Sequence, residues 1–181
     1  MSDVMWTNWW QKIAEDFSDL PDAGEAIRMT VRLMLAAILG GMLGYDRERA
    51  GKAAGLRTHM LVSLGSALFV LIPQQAGLSD SDLSRVIQGI VAGVGFLGAG
   101  AIVKDNRVGE IQGLTTAAGI WLTAAIGIAA GLGREASAVL GAVLAFVILS
   151  ALARISHGIG HGIGKPQTEQ RQDEQSGNET E

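Results

Sequence analysis

The chain has no cysteine, only 3 prolines, and few aromatic residues (5%). Without cysteine there is no disulfide framework and no thiolate metal site, and the redox compartment is left open. Charge is scarce as well: 18% of the residues are Asp, Glu, Lys or Arg, against about a quarter in an ordinary soluble domain. The net charge of −4 gives no basic face for nucleic acid. No Ser/His/Asp triad, phosphate-binding glycine loop or His-Glu-x-x-His motif occurs. These absences exclude the common routes to catalysis, and the chain reads as a non-enzyme that needs no cofactor.

What remains is apolar and rich in glycine. Hydrophobic residues make up 48% and the mean hydropathy is +0.29, with the charges gathered into short stretches between long apolar runs. A helix needs roughly 20 apolar residues to cross the hydrocarbon of a bilayer. Met29 to Tyr45, Val86 to Val103, Leu114 to Leu132 and Ala136 to about Ile155 fit that length. A fifth run, Thr58 to Ile72, is short and reaches full length only if the helix continues through Pro73, which membrane helices tolerate. The expected fold is all-α: a polytopic membrane bundle of five transmembrane helices. The 25 glycines suit helices whose backbones approach closely, with GxxxG pairs at Gly89/Gly93 and Gly127/Gly131.

Ahead of the first span, Trp6, Trp9, Trp10, Ile13 and Phe17 recur at helical spacing while Lys12, Glu15 and Asp16 take other faces. This predicts an amphipathic helix lying in the interface, with its tryptophans at headgroup depth. After the last span, Lys165 to Glu181 contains nothing able to anchor a core, and disorder is expected there. The organisation is therefore 1–26 interfacial segment, 27–157 membrane domain and 158–181 polar tail. Positive residues favour one side. Arg47, Arg49, Lys52, Arg57, Lys104, Arg107, Arg154, Lys165 and Arg171 face Lys12, Arg28, Arg85 and Arg134 across the membrane. The bias predicts an N terminus outside and a cytoplasmic C terminus.

One register aligns Leu39-Gly40 with Leu97-Gly98 and Gly55-Leu56 with Gly113-Leu114 without a gap. Either this reflects shared Gly/Ala/Leu composition, or spans one and two repeat as spans three and four about an axis along the membrane normal. A true repeat predicts two cytoplasmic loops of similar shape that meet near that axis.

Few polar residues stand where they can carry function. Arg32, one turn into the first span, either snorkels to the interface or faces the bundle and pairs with Asp80 or Asp82. The stretch Tyr45-Asp46-Arg47-Glu48-Arg49, followed by Gly51 to His59, is denser in charge than a turn requires. Asp46 and Arg49 can pair across one helical turn. It is either an ordinary positive-inside loop or a docking surface at the mouth of a polar pocket. The candidates are Arg32, Asp46, Arg47, Glu48, Arg57, Thr58, Asp82, Arg85, Thr115 and Thr116. His157 and His161 sit in glycine-rich sequence that makes a poor frame for a metal.

Taken together, Gly44-Tyr45-Asp46-Arg47-Glu48, Ala54-Gly55-Leu56-Arg57-Thr58-His59-Met60-Leu61-Val62, Gly65-Ser66-Ala67, Gly95-Phe96-Leu97-Gly98-Ala99-Gly100 and Gly113-Leu114-Thr115-Thr116-Ala117-Ala118 resemble the MgtC/SapB family of bacterial inner-membrane proteins. The resemblance runs from about Ile27 to Ile155. It implies a five-span membrane domain, a link to growth at low magnesium, and regulation of other membrane machinery. The implied partners are the ATP synthase or a magnesium-transporting P-type ATPase. Longer members add a soluble domain resembling an ACT fold; here the charged tail follows Ile155, so ligand sensing by that domain does not carry over. Two functions follow as expectations: a regulator that packs its helices against a partner or another copy in the bilayer, or a small oligomeric transporter or channel using Arg32, Gln88, Thr115, Thr116 and Thr123.

Overall fold

A computed structural model describes Trp9, residues 22–104 and residues 111–159. The remainder of the expected interfacial segment and the tail beyond Ile159 lie outside the described residues. Among the described residues five helices are delimited: α1 (Ala23–Arg49), α2 (Leu56–Gln75), α3 (Asp80–Gly100), α4 (Leu114–Gly131) and α5 (Glu135–Ile159). The first four are long and apolar enough to cross a membrane, and α5 carries a shorter apolar stretch, Glu135–Ser150. The bundle described below extends to Phe146; of a second unit, Val147–Glu181, the described part is the helical stretch through Ile159.

Each boundary has a local cause. The α2 helix continues through Pro73 to Gln75, as its length demanded, although Pro73 has no N–H to give the Phe69 carbonyl four residues back, a loss that membrane helices tolerate. Gly77, with φ of +74°, then turns the chain toward α3. Ser79 caps α3: its hydroxyl oxygen accepts from the Asp82 N–H at 3.3 Å and its O–H donates to the Asp82 carboxylate at 2.6 Å. Gly133, with φ of +73°, closes the α4–α5 turn, a conformation that costs glycine least.

The α2 and α4 helices pack on each other at the centre, and α1 and α3 each touch both. This is the layout the internal repeat requires, and one contact repeats in register. Gly40 of α1 lies over the His59 carbonyl, where an added β-carbon would sit 2.6 Å from the oxygen; the aligned Gly98 of α3 lies over Ala117, 3.6 Å from its β-carbon. The first crossing is tight and the second looser. Only Val94 and Gly98 are buried on α3.

The two loops at this end differ in shape, contrary to the expectation from the repeat. The first is a short turn between Arg49 and Leu56 with Gly51 at φ +66°. The second contains a two-residue antiparallel ladder, β1 (Val103–Lys104) with β2 (Ile111–Gln112), pairing Val103 with Gln112. The α1 helix extends to Arg49, whereas α3 stops at Gly100, well short of the aligned position. Glycines at 93, 95, 98 and 100 weaken the end of α3, and the β-branched Ile102 and Val103 favour extended chain.

Candidate functional site

The candidate residues fall into two groups at opposite ends of the bundle. Where α1 begins and α4 turns into α5, the Arg32 guanidinium Nε lies 3.5 Å from the Glu135 carboxylate and packs over Gly133. Its partner is thus Glu135, not Asp80 or Asp82. The carboxylate of Asp82 is engaged in the α3 cap and lies 3.9 Å from Arg85, one helical turn on. Arg32 also borders a polar cavity of about 260 Å³ with Glu25, Arg28, Gln74 and Gln75. The Arg32 and Glu135 side chains remain 28% and 49% exposed, so water competes for the pair. A double-mutant cycle of Arg32→Ala and Glu135→Ala, followed by denaturant unfolding in micelles, is expected to give a coupling of about 0.2–1 kcal/mol. Gln88 is exposed on α3.

Asp46, Arg47, Glu48, Arg57, Thr58, Thr115 and Thr116 gather at the other end. Arg47 is 5% exposed; its Nε donates to Asp46 Oδ2 at 3.1 Å, and a second guanidinium nitrogen closes a charge-assisted fork on the same oxygen. Arg49 does not pair with Asp46; it lies over the Tyr45 ring, 5.5 Å from its centroid. Glu48 reaches across the turn, and its Oε2 accepts from the Leu56 N–H at 2.7 Å. A carboxylate thereby occupies the α2 N-terminus, where the helix dipole favours negative charge. Thr58 lines an apolar cavity of about 380 Å³ with Phe96, Leu97 and Ile120. Thr115 and Thr116 line a polar one of about 610 Å³ with Lys52, Gln112 and Gly113. The two loops do meet, across this cavity.

At the centre of the bundle, sequence reasoning named Thr123 as a possible transporter residue but gave no role to His59 or Ser63. His59 is fully buried and its Nδ1 hydrogen-bonds the Gly55 carbonyl at 2.9 Å. The acceptor places the proton on Nδ1, leaving Nε2 as a bare lone pair near Gly119. Among the described residues, neither that nitrogen nor the Ser63 hydroxyl has a hydrogen-bond partner. Thr123, also fully buried, donates to the Gly119 carbonyl at 2.8 Å. The available signal was the four-residue spacing of His59 and Ser63 within an apolar run. Among the described residues, no group of three or more His, Asp or Glu is placed to hold a metal ion.

A paired core of α2 and α4 flanked by two further long apolar helices, with charge confined to the ends, defines a multi-pass helical membrane protein. The sequence pattern of the MgtC family matches residues 33–157, and the chain belongs to that family. Similar proteins include protein SrpB of Synechococcus elongatus, 43% identical over 143 residues, covering 73% of this chain and 79% of SrpB. The putative magnesium transporter YhiD of Escherichia coli is 42% identical over 134 residues, covering 70% of this chain and 61% of YhiD. Protein MgtC of Brucella abortus is 40% identical over 119 residues, covering 66% of this chain and 48% of that protein. The match thus takes in about half of the Brucella relative. No solved structure matches the chain.

Proposed function

We propose that this chain is a non-enzymatic regulator in the bacterial inner membrane, needed when magnesium is limiting, which acts by packing α3 against another copy or a membrane ATPase. The N terminus lies outside, and the charged end holding Asp46 to Arg57 faces the cytoplasm. The observation that carries the reading is the open face of α3: β-carbons added at Gly89, Gly93, Gly95 or Gly100 would meet nothing within 4 Å. Within hydrocarbon, close van der Waals approach at small residues is what draws helices together. The glycines of α4 are already used in this way inside the bundle; on α3, Gly98 packs on Ala117, Gly89 and Gly93 border a cavity beside α2, and Gly95 and Gly100 are open.

The alternative, an oligomeric transporter or channel, draws on the printed name of the Escherichia coli relative. The placement of the polar residues supports it less. Arg32 pairs with Glu135 at one end, Gln88 is exposed, and Thr123 is tied to its own helix.

Gly93→Leu separates the readings. Gly93 borders, with Leu61, Gly65 and Phe69 of α2, a cavity of about 620 Å³, so the leucine enters a groove rather than packed core and the unfolding midpoint of the variant should stay close to wild type. Crosslinking in native membranes should show wild-type association with itself or an ATPase, lost in Gly93→Leu, together with failure to restore growth of a deletion strain at limiting Mg²⁺. A wild-type protein that crosslinks to nothing rejects the regulator. Mg²⁺ uptake by the purified protein in liposomes would establish the transporter instead.

A further inference from the structure

The repeat places two helix N-termini at the charged end, α2 after Gly55 and α4 after Gly113. The protein treats them differently. At α2, the Glu48 carboxylate accepts from the first helical amide. At α4, among the described residues, no side chain accepts from the amides of Leu114, Thr115 or Thr116. Its first intrahelical bond is the one from the Ala117 N–H to the Gly113 carbonyl, so the amides of Leu114, Thr115 and Thr116 precede the bonded ladder. In the alignment, the residue matching Glu48 is Asn106, a neutral amide. The second repeat therefore has a helix terminus of the same kind without the aligned carboxylate.

That terminus opens on a built space. The cavity of about 610 Å³ is bordered by Lys52 from the first loop and by Gln112, Gly113, Thr115 and Thr116 from the second. Thr116 is the informative member. It is only 2% exposed, yet it lines the cavity, and its hydroxyl makes no hydrogen bond among the described residues. Its oxygen is not among the buried atoms left without a partner, so it is reachable from the cavity by a ligand or by water. In α4 itself, Thr123 is satisfied by the carbonyl four residues back, and Thr116 does not take that route.

We propose that this cavity is a binding site for a phosphate-class oxyanion, supplied either as inorganic phosphate or as the headgroup phosphate of an acidic lipid. The amides of the first α4 turn and the Thr116 hydroxyl donate to its oxygens, and the Lys52 ammonium balances its charge. Helix N-termini bind phosphate through this combination of free N–H groups and dipole. A site at the loop end of a bilayer-spanning helix also lies at headgroup depth. This assignment is independent of whether α3 binds a partner.

The test uses the full chain, purified in detergent and in nanodiscs. Inorganic phosphate is titrated by calorimetry, and retention of phosphatidylglycerol against phosphatidylcholine is read by native mass spectrometry. Wild type should bind phosphate, or retain phosphatidylglycerol selectively; the first result identifies a soluble anion and the second a lipid. Thr116→Val keeps the shape of the buried side chain and should weaken binding about tenfold, the worth of one hydrogen bond near 1.4 kcal/mol. Lys52→Gln changes an exposed side chain, leaves the fold intact, and should weaken binding by at least as much. Binding of neither probe by wild type overturns the proposal. So does equal binding by wild type and Lys52→Gln.

Discussion

Gly127→Ala is expected to destabilise the bundle by about 3 kcal/mol or more, at the upper end of overpacking costs. The new β-carbon would lie 2.2 Å from the Ser63 carbonyl oxygen and 2.9 Å from Ser63 Cα. Those atoms are backbone in the middle of α2, so no rotamer change relieves the contact. Either α2 and α4 move apart or one slides along the other. Both responses break a ladder in which positions 119, 123, 127 and 131 of α4 face 59, 63 and 67 of α2: Gly119 against His59, Gly127 against Ser63, and Gly131 2.5 Å from the Ala67 oxygen when given a β-carbon. Moving the helices apart also admits lipid or water to His59 Nε2 and the Ser63 hydroxyl, which are buried without partners. The check is unfolding by SDS titration in mixed micelles, with Gly93→Ala as the control. Gly93 also belongs to a GxxxG, as its second glycine where Gly127 is the first of its own, and has nothing within 4 Å. Its midpoint should stay within about 0.5 kcal/mol of wild type, as for an open position. Equal losses for both glycines would mean that α3 is packed as tightly as α4.

That pair of glycines also shows where sequence reading stops. The five helices were legible because hydrocarbon admits few alternatives: apolar runs of about 20 residues bounded by charge become helices. The repeat was legible because Gly40 and Gly98 align, and both do sit on the partner helix at aligned residues, His59 and Ala117. Which GxxxG packs inside was not legible, since the motif at 89/93 and the one at 127/131 differ only in the helix that happens to face them. Arg32 was read as snorkelling or as pairing with Asp80 or Asp82; Glu135 is remote in sequence and is brought near only when the α4–α5 turn closes on α1. Asp82 was read as a candidate partner for Arg32 and is instead engaged in a helix cap, which Ser79 three residues earlier would have signalled. His59 escaped notice because a single histidine in an apolar run carries no chemical motif. Its importance lies in being fully enclosed, a tertiary property.

Gly113→Ala should be the second severe variant, and its damage should be local. Gly113 has φ of +93°, where alanine is strained by about 1–3 kcal/mol. Its β-carbon would lie 2.0 Å from the Ala101 carbonyl oxygen and 3.2 Å from Ile102 Cα. Strain and collision act together, because the end of α3 and the start of α4 are in backbone contact there. The loss is expected at about 3 kcal/mol or above, adding the overpacking cost. It should fall on the α3–α4 hairpin, since α3 has only Val94 and Gly98 buried to resist displacement, while the α1–α2–α4 contacts stay in place. Gly55, its aligned counterpart, has φ of −105°, which any residue adopts. A β-carbon there meets the Glu48 carboxylate at 2.6 Å, the far end of a flexible side chain. Gly55→Ala should therefore cost less than Gly113→Ala by at least about 1 kcal/mol, the strain alone. Hydrogen exchange read by mass spectrometry distinguishes the sites: Gly113→Ala should raise exchange in 94–104 and 111–117 while leaving 59–70 protected. Equal exchange in the two variants would mean that the two loops tolerate a side chain alike, and that the asymmetry between a self-filled and an open helix terminus does not exist.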